Sequence, residues 1–99
     1  MTDRKLEFAI TNGQPIIRGE IDLLSLPELE SWLETLGQQH QTVDLNDVTF
    51  FDSSALRMFL TVRRRSPKFR IVRPSKSVLR VLEITGTVDY LVHGREINW

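Results

Sequence analysis

The chain has 99 residues, 40% hydrophobic and 26% charged: enough for one packed core, too short for a second, and not the balance of a disordered or fibrous chain. It has no cysteine, which excludes disulfides, thiolate metal ligands and thiol nucleophiles. The net charge is zero, yet residues 1–56 hold ten acids against three bases and residues 57–99 the reverse; since blocks in sequence need not be patches in space, interleaved faces of one body are expected.

Residues 5–10 alternate apolar Leu6, Phe8 and Ile10 with polar or small residues, the period of a half-buried strand. Asn12-Gly13 tolerates the positive φ of a tight turn, and Ile16-Ile17 beyond it predicts the second arm of a hairpin. Ser25-Leu26-Pro27-Glu28 has the pattern of a capping box opening a helix. Leu26, Leu29, Trp32, Leu33 and Leu36 then recur at spacings of three and four, and Gly37 supplies a left-handed stop. A polar loop at residues 38–41 leads to a short buried strand at Val43 and Leu45, then a turn at Asn46-Asp47, then the apolar run Val48-Thr49-Phe50-Phe51.

A second helix is predicted over residues 53–65, with Ala55, Leu56, Phe59 and Leu60 inward. Arg63, Arg64 and Arg65 fall in its last turn, where cations suit the helix dipole, and they read as surface residues. Phe69-Arg70-Ile71-Val72 is a further strand; Pro74-Ser75 opens a third helix carrying Val78, Leu79 and Leu82, which Gly86 closes. Residues 88–92 suggest a short last strand. This order predicts an α/β fold with a small mixed β-sheet, as one domain over residues 1–99.

Enzyme chemistry finds little support. His40 and His93 are the only histidines, neither accompanies a Gly-x-Ser-x-Gly elbow, and both read as surface residues. The five glycines form no phosphate-cradling loop, so no bound ATP or other cofactor is expected, and no calcium loop or paired histidines suggest a metal. Asp44, Asp47 and Asp52 read first as turn and strand-end residues. The arginine run with Lys68, Arg70, Arg73, Lys76 and Arg80 has little aromatic interleaving and reads as a solvated face, not a direct nucleic-acid site. No run approaches the roughly 18 apolar residues of a membrane span, and Met1-Thr2-Asp3-Arg4-Lys5 lacks the apolar core of a signal peptide; no membrane insertion and a cytoplasmic location are expected.

Asp52-Ser53-Ser54-Ala55-Leu56 remains. An Asp or Ser before an apolar helix is an N-cap, and this one follows a strand-like run and opens a helix whose free N–H groups can face an anion. Gly19-Glu20-Ile21-Asp22, Val43-Asp44-Leu45, Val48-Thr49-Phe50-Phe51-Asp52-Ser53-Ser54-Ala55-Leu56, Val72-Arg73-Pro74-Ser75 and Val81-Leu82-Glu83-Ile84-Thr85-Gly86, in this order, resemble the STAS domain family, especially bacterial anti-sigma factor antagonists. The resemblance implies helices packed mainly on one side of the sheet. It also implies a non-enzymatic switch: Ser54 as the phosphoacceptor, and a partner-binding face of Glu20, Asp22, Asp52, Ser53, Ser54 and Ala55, with the acids near Ser54. The implied partners are an anti-sigma factor with serine kinase activity and a phosphoserine phosphatase. Where the family commonly has glycine after the serine pair this chain has Ala55, whose methyl group is expected to come close to a partner backbone. Alternatives of other kinds are a constitutive subunit of a membrane lipid-transport ABC complex and a nucleotide- or lipid-binding sensor.

Overall fold

The computed structural model describes residues 5–37 and 41–96, so His40 and most of its loop lie outside the described residues. Four strands, β1 (Leu6–Thr11), β2 (Gln14–Ile21), β3 (Thr42–Phe51) and β4 (Arg70–Val72), form a sheet in the order β1-β2-β3-β4. Asn12 and Gly13, both at positive φ, turn β1 back onto β2 antiparallel. The β2–β3 and β3–β4 pairs are parallel, and each needs a helical crossover. These crossovers are α1 (Leu26–Leu36), preceded by a 3-10 turn at Leu23–Ser25, and α2 (Ser53–Arg65). The chain continues through α3 (Lys76–Thr85) and the short α4 (Val88–Leu91).

The helices pack mainly on one side of this mixed sheet, and aromatic side chains join the layers. Trp32 of α1 stacks on Phe8 of β1 at 4.6 Å between ring centroids. Phe59 of α2 lies between Phe51 and Phe69, 5.9 Å from each. Around them Ile17, Ile21, Leu29, Val43, Leu45, Ile71, Val78 and Leu82 are fully buried, each worth about 2 kcal/mol of transfer free energy. The opposite face of the sheet is solvated where Arg18 and Asp47, partners in register, form an exposed ion pair.

Several expectations are corrected. Asn46-Asp47 does not turn the chain: β3 runs unbroken through it, its ladder with β2 absorbing the irregularity as register shifts. Asp44 is therefore a mid-strand residue, 5% exposed, accepting from the Asn46 N–H at 2.8 Å and paired with Arg73 at 3.4 Å. Residues 88–91 form a helical turn and not a strand, since Tyr90 and Leu91 both face the core from it. Arg63 is not a surface residue; it is 2% exposed. Ser25 makes no side-chain cap to α1 and instead closes the turn before it. Gly86 adopts the left-handed conformation expected after α3, whereas Gly37 ends α1 at positive φ with an extended ψ.

Candidate functional site

In the parallel ladder Ile21 pairs with Phe51, so Asp22 and Asp52, the next residues of β2 and β3, emerge side by side at one edge of the sheet. Both are extended, with φ −128° and −120°, and both cap the helical segment that follows. Asp22 accepts from the Ser25 N–H at 3.1 Å, and the Ser25 hydroxyl accepts from the Asp22 N–H at 3.0 Å. The capping box expected one turn later is thus built on Asp22.

At Asp52 the arrangement differs in one respect. Its Oδ1 accepts from the Ala55 N–H at 3.0 Å and also from the Ser54 hydroxyl at 2.6 Å. Partial burial pushes the Asp52 carboxyl up, but the Ser54 hydroxyl and the N–H groups of Ala55, Ser54 and Asp52 outweigh it and hold it below the usual carboxylate range. The carboxylate is therefore ionised at neutral pH and fixes the Ser54 side chain. Ser54 is half-buried and Ser53 exposed. Ala55 is fully buried, with its methyl group in the core cluster.

Gly19 sets the height of the neighbouring corner. It lies at φ 104°, and a Cβ there would come within 2.0 Å of the Lys5 carbonyl oxygen, so only glycine lets β2 pass β1 this closely. The adjacent Glu20 N–H donates to that carbonyl at 2.7 Å, and Glu20 lies opposite Phe50 in the ladder. Glu20, Asp22, Asp52, Ser53 and Ser54 are all carried to the same end of β2 and β3.

The structure adds residues that the sequence reading passed over. Leu23 and Leu24, directly after Asp22, are 67% and 84% exposed. Leu23, Leu26, Pro27 and Glu30 face Ser54, Arg57, Met58 and Thr61 across a groove of about 390 Å³. Past Glu30, Met58 and Thr61 the groove continues between Leu33 and Glu34 of α1 and Val62 and Arg65 of α2. Its α1 wall is acidic and its α2 wall basic, so here the charge segregation of the sequence survives in space instead of interleaving. Two adjacent leucines after a capping Asp were the signal available for this surface; the groove itself depends on how far apart α1 and α2 lie.

Among the described residues no group of three or more acids and histidines converges as a metal site, and no helix is long and apolar enough to cross a membrane. The arrangement presents a hydroxyl held by a carboxylate, at a helix mouth, beside exposed apolar side chains.

Comparison with known proteins agrees with this architecture. The family model described as the STAS domain matches residues 7–97. The chain is 31% identical to an anti-sigma-B factor antagonist of Bacillus subtilis, over 76% of this chain and 74% of the relative. It is also 31% identical to an anti-sigma-B factor antagonist of Staphylococcus aureus, over 81% and 80%. In fold it matches the crystal structure of an anti-sigma factor antagonist from Mycobacterium paratuberculosis, with a TM-score of 0.68 at 21% identity, over 87% of this chain and 80% of that one. The chain belongs to the STAS domain family, and its relatives there include anti-sigma factor antagonists.

Proposed function

We propose that this chain is an anti-sigma factor antagonist, a binding protein and not a catalyst, and that phosphorylation of Ser54 switches it off. Unmodified, it binds in the cytoplasm an anti-sigma factor that is also a serine kinase, and the bound sigma factor is released for transcription. The kinase supplies ATP and transfers the γ-phosphoryl group to the Ser54 oxygen; a phosphoserine phosphatase restores the hydroxyl.

The observation that carries this reading is the 2.6 Å hydrogen bond from Ser54 to Asp52 at the edge where Asp22, Leu23 and Leu24 also emerge. The exposed leucines offer apolar contact area and the acids fix its orientation. A phosphate adds about −1.5 to −2 charges beside Asp52 and Asp22 on that same face, which opposes re-docking. The fold survives because the first turn of α2 tolerates an anion, at a gain of about 0.3 to 1 kcal/mol.

The test uses the candidate kinase with ATP and the variants Ser54→Ala and Ser54→Asp. Intact mass is expected to show one added phosphate on the unaltered chain and none on Ser54→Ala. In pull-down, Ser54→Ala binds whether or not ATP is present, and Ser54→Asp keeps its circular dichroism but loses binding. Normal binding by Ser54→Asp, or a phosphate that persists in Ser54→Ala, contradicts the switch. Co-purification of a transporter ATPase in place of the kinase favours the ABC-complex alternative.

A further inference from the structure

We infer that once Ser54 carries a phosphate, Arg57 holds it, and that this ion pair closes the mouth of the groove between the 3-10 turn, α1 and α2. The inference rests on the reading of Ser54 as the phosphoacceptor and adds what the phosphate does after it is attached.

In the unmodified chain Ser54 spends its only proton on Asp52. A phosphate ester oxygen has no proton to donate, so phosphorylation removes that bond and sets a near-dianion against an ionised carboxylate. Asp52 stays in place, because its Oδ1 also accepts from the Ala55 N–H. The side chain of Ser54 must therefore turn its new charge away from Asp52.

The groove is where it can turn. Ser54 and Arg57 stand three residues apart on α2, a spacing that puts side chains on one face about 5 to 6 Å apart at Cβ, and both line the same groove. The Arg57 side chain is exposed and makes no ion pair or hydrogen bond among the described residues, so no existing interaction must be broken. Its planar fork can take two phosphate oxygens at once.

The surrounding charges favour the same partner. Asp52 at the end of β3 and Asp22 at the end of β2 repel the phosphate, and so does Glu30 on the opposite wall of the groove. Lys76 and Arg80 of α3 line a separate hollow with Thr49, Phe50 and Phe51. Of the two arginines on the α2 wall, Arg57 lines the same stretch of the groove as Ser54, whereas Arg65 lies further along, eleven residues from Ser54 on α2. Drawn back onto the phosphate, the Arg57 guanidinium stays in the stretch of the groove that Met58 and Leu26 also line, and reduces the apolar surface open to a partner there. Phosphorylation then acts by covering an apolar contact as well as by adding charge.

The experiment uses the full chain with phosphoserine incorporated at position 54 during synthesis, so that it does not depend on any kinase. The second ionisation of the phosphate is followed by phosphorus NMR in the protein with Arg57 and in Arg57→Gln, with circular dichroism to establish that both are folded. Arg57 is expected to lower that pKa by about half a unit or more relative to Arg57→Gln, and Arg57→Lys to fall between them. The methyl resonance of Met58 is expected to shift on phosphorylation in the Arg57 protein and much less in Arg57→Gln. Coincident titration curves overturn the ion pair, and equal Met58 shifts overturn the closure. If no kinase modifies Ser54 in the natural chain, the proposed switch fails while these two measurements still report on Arg57.

Discussion

The two ends of α2 solve opposite problems with charged side chains. At its start Asp52 is half-exposed, accepts from Ala55 and Ser54, and leaves a hydroxyl at the surface. At its finish Arg63 is buried and directs its donors inward: Nε to the Tyr90 carbonyl and Nη2 to the Gly94 carbonyl, both at 3.3 Å, with the guanidinium 4.5 Å from the Tyr90 ring centroid. It also meets Glu96 at 3.2 Å, but that carboxylate is 79% exposed, so water screens the pair and the carbonyls and ring account for most of its value. The closed end anchors the C-terminal segment to the core; the open end is held by one short-range cap.

The largest expected effect comes from the strand beside the open end. Gly19→Ala places a Cβ 2.0 Å from the Lys5 carbonyl oxygen at φ 104°, so the β1–β2 pairing must shift. The backbone conformation alone costs about 1 to 3 kcal/mol, and relieving the overlap adds to it. Urea denaturation is expected to show a loss above about 3 kcal/mol, or no folded protein. A loss near 1 kcal/mol would mean that the corner carrying Glu20 and Asp22 is less constrained than its geometry implies.

Arg63→Ala tests the closed end. It removes a packed side chain, leaves two carbonyls without their donor and opens space beside Tyr90, for about 3 kcal/mol in the same denaturation series. Arg63→Met fills the volume without the charge and is expected to recover part of that loss. Both variants leave Ser54 and Asp52 untouched, so equal anti-sigma factor binding by folded Arg63→Ala and unaltered protein would show that the two ends act independently.

What could be read in the sequence follows the same division. The bounds of α2, its Asp cap and the three-and-four spacing of α1 depend on interactions a few residues apart, and these were legible. Arg63 was misread because residue type outweighed position: it follows Phe59 by four residues on the inward face, and only Tyr90 and Gly94, about thirty residues on, show why burial is tolerated. The same limit explains residues 88–92, where an apolar run fits a strand or a buried turn equally and docking on the core decides. For the site, the acids and serines were legible as a motif. The groove with Arg57 was not, because it is made by the separation of α1 and α2 and by no local pattern.

The smallest expected effect is at Asp52 and depends on pH. Asp52→Ala removes the cap of α2 and is expected to cost about 1 kcal/mol at pH 7, whereas Asp52→Asn keeps an acceptor in place and costs less, since Asn caps helices nearly as well. The remaining difference between Asp and Asn reports the charge. Because the folded carboxyl titrates below its unfolded value, near about 4, its ionised form contributes stability that is fully present above that value. Protonation takes the contribution away as pH falls through the lower, folded value. Denaturation free energies of the unaltered protein and Asp52→Asn, measured from pH 7 downward, should thus run parallel to about pH 5 and converge below about pH 4. Convergence at higher pH would place the folded carboxyl above the usual range, which is incompatible with an ionised Asp52 holding Ser54 by a short hydrogen bond; the open end of α2 would then lack the charge that makes it differ from the closed one.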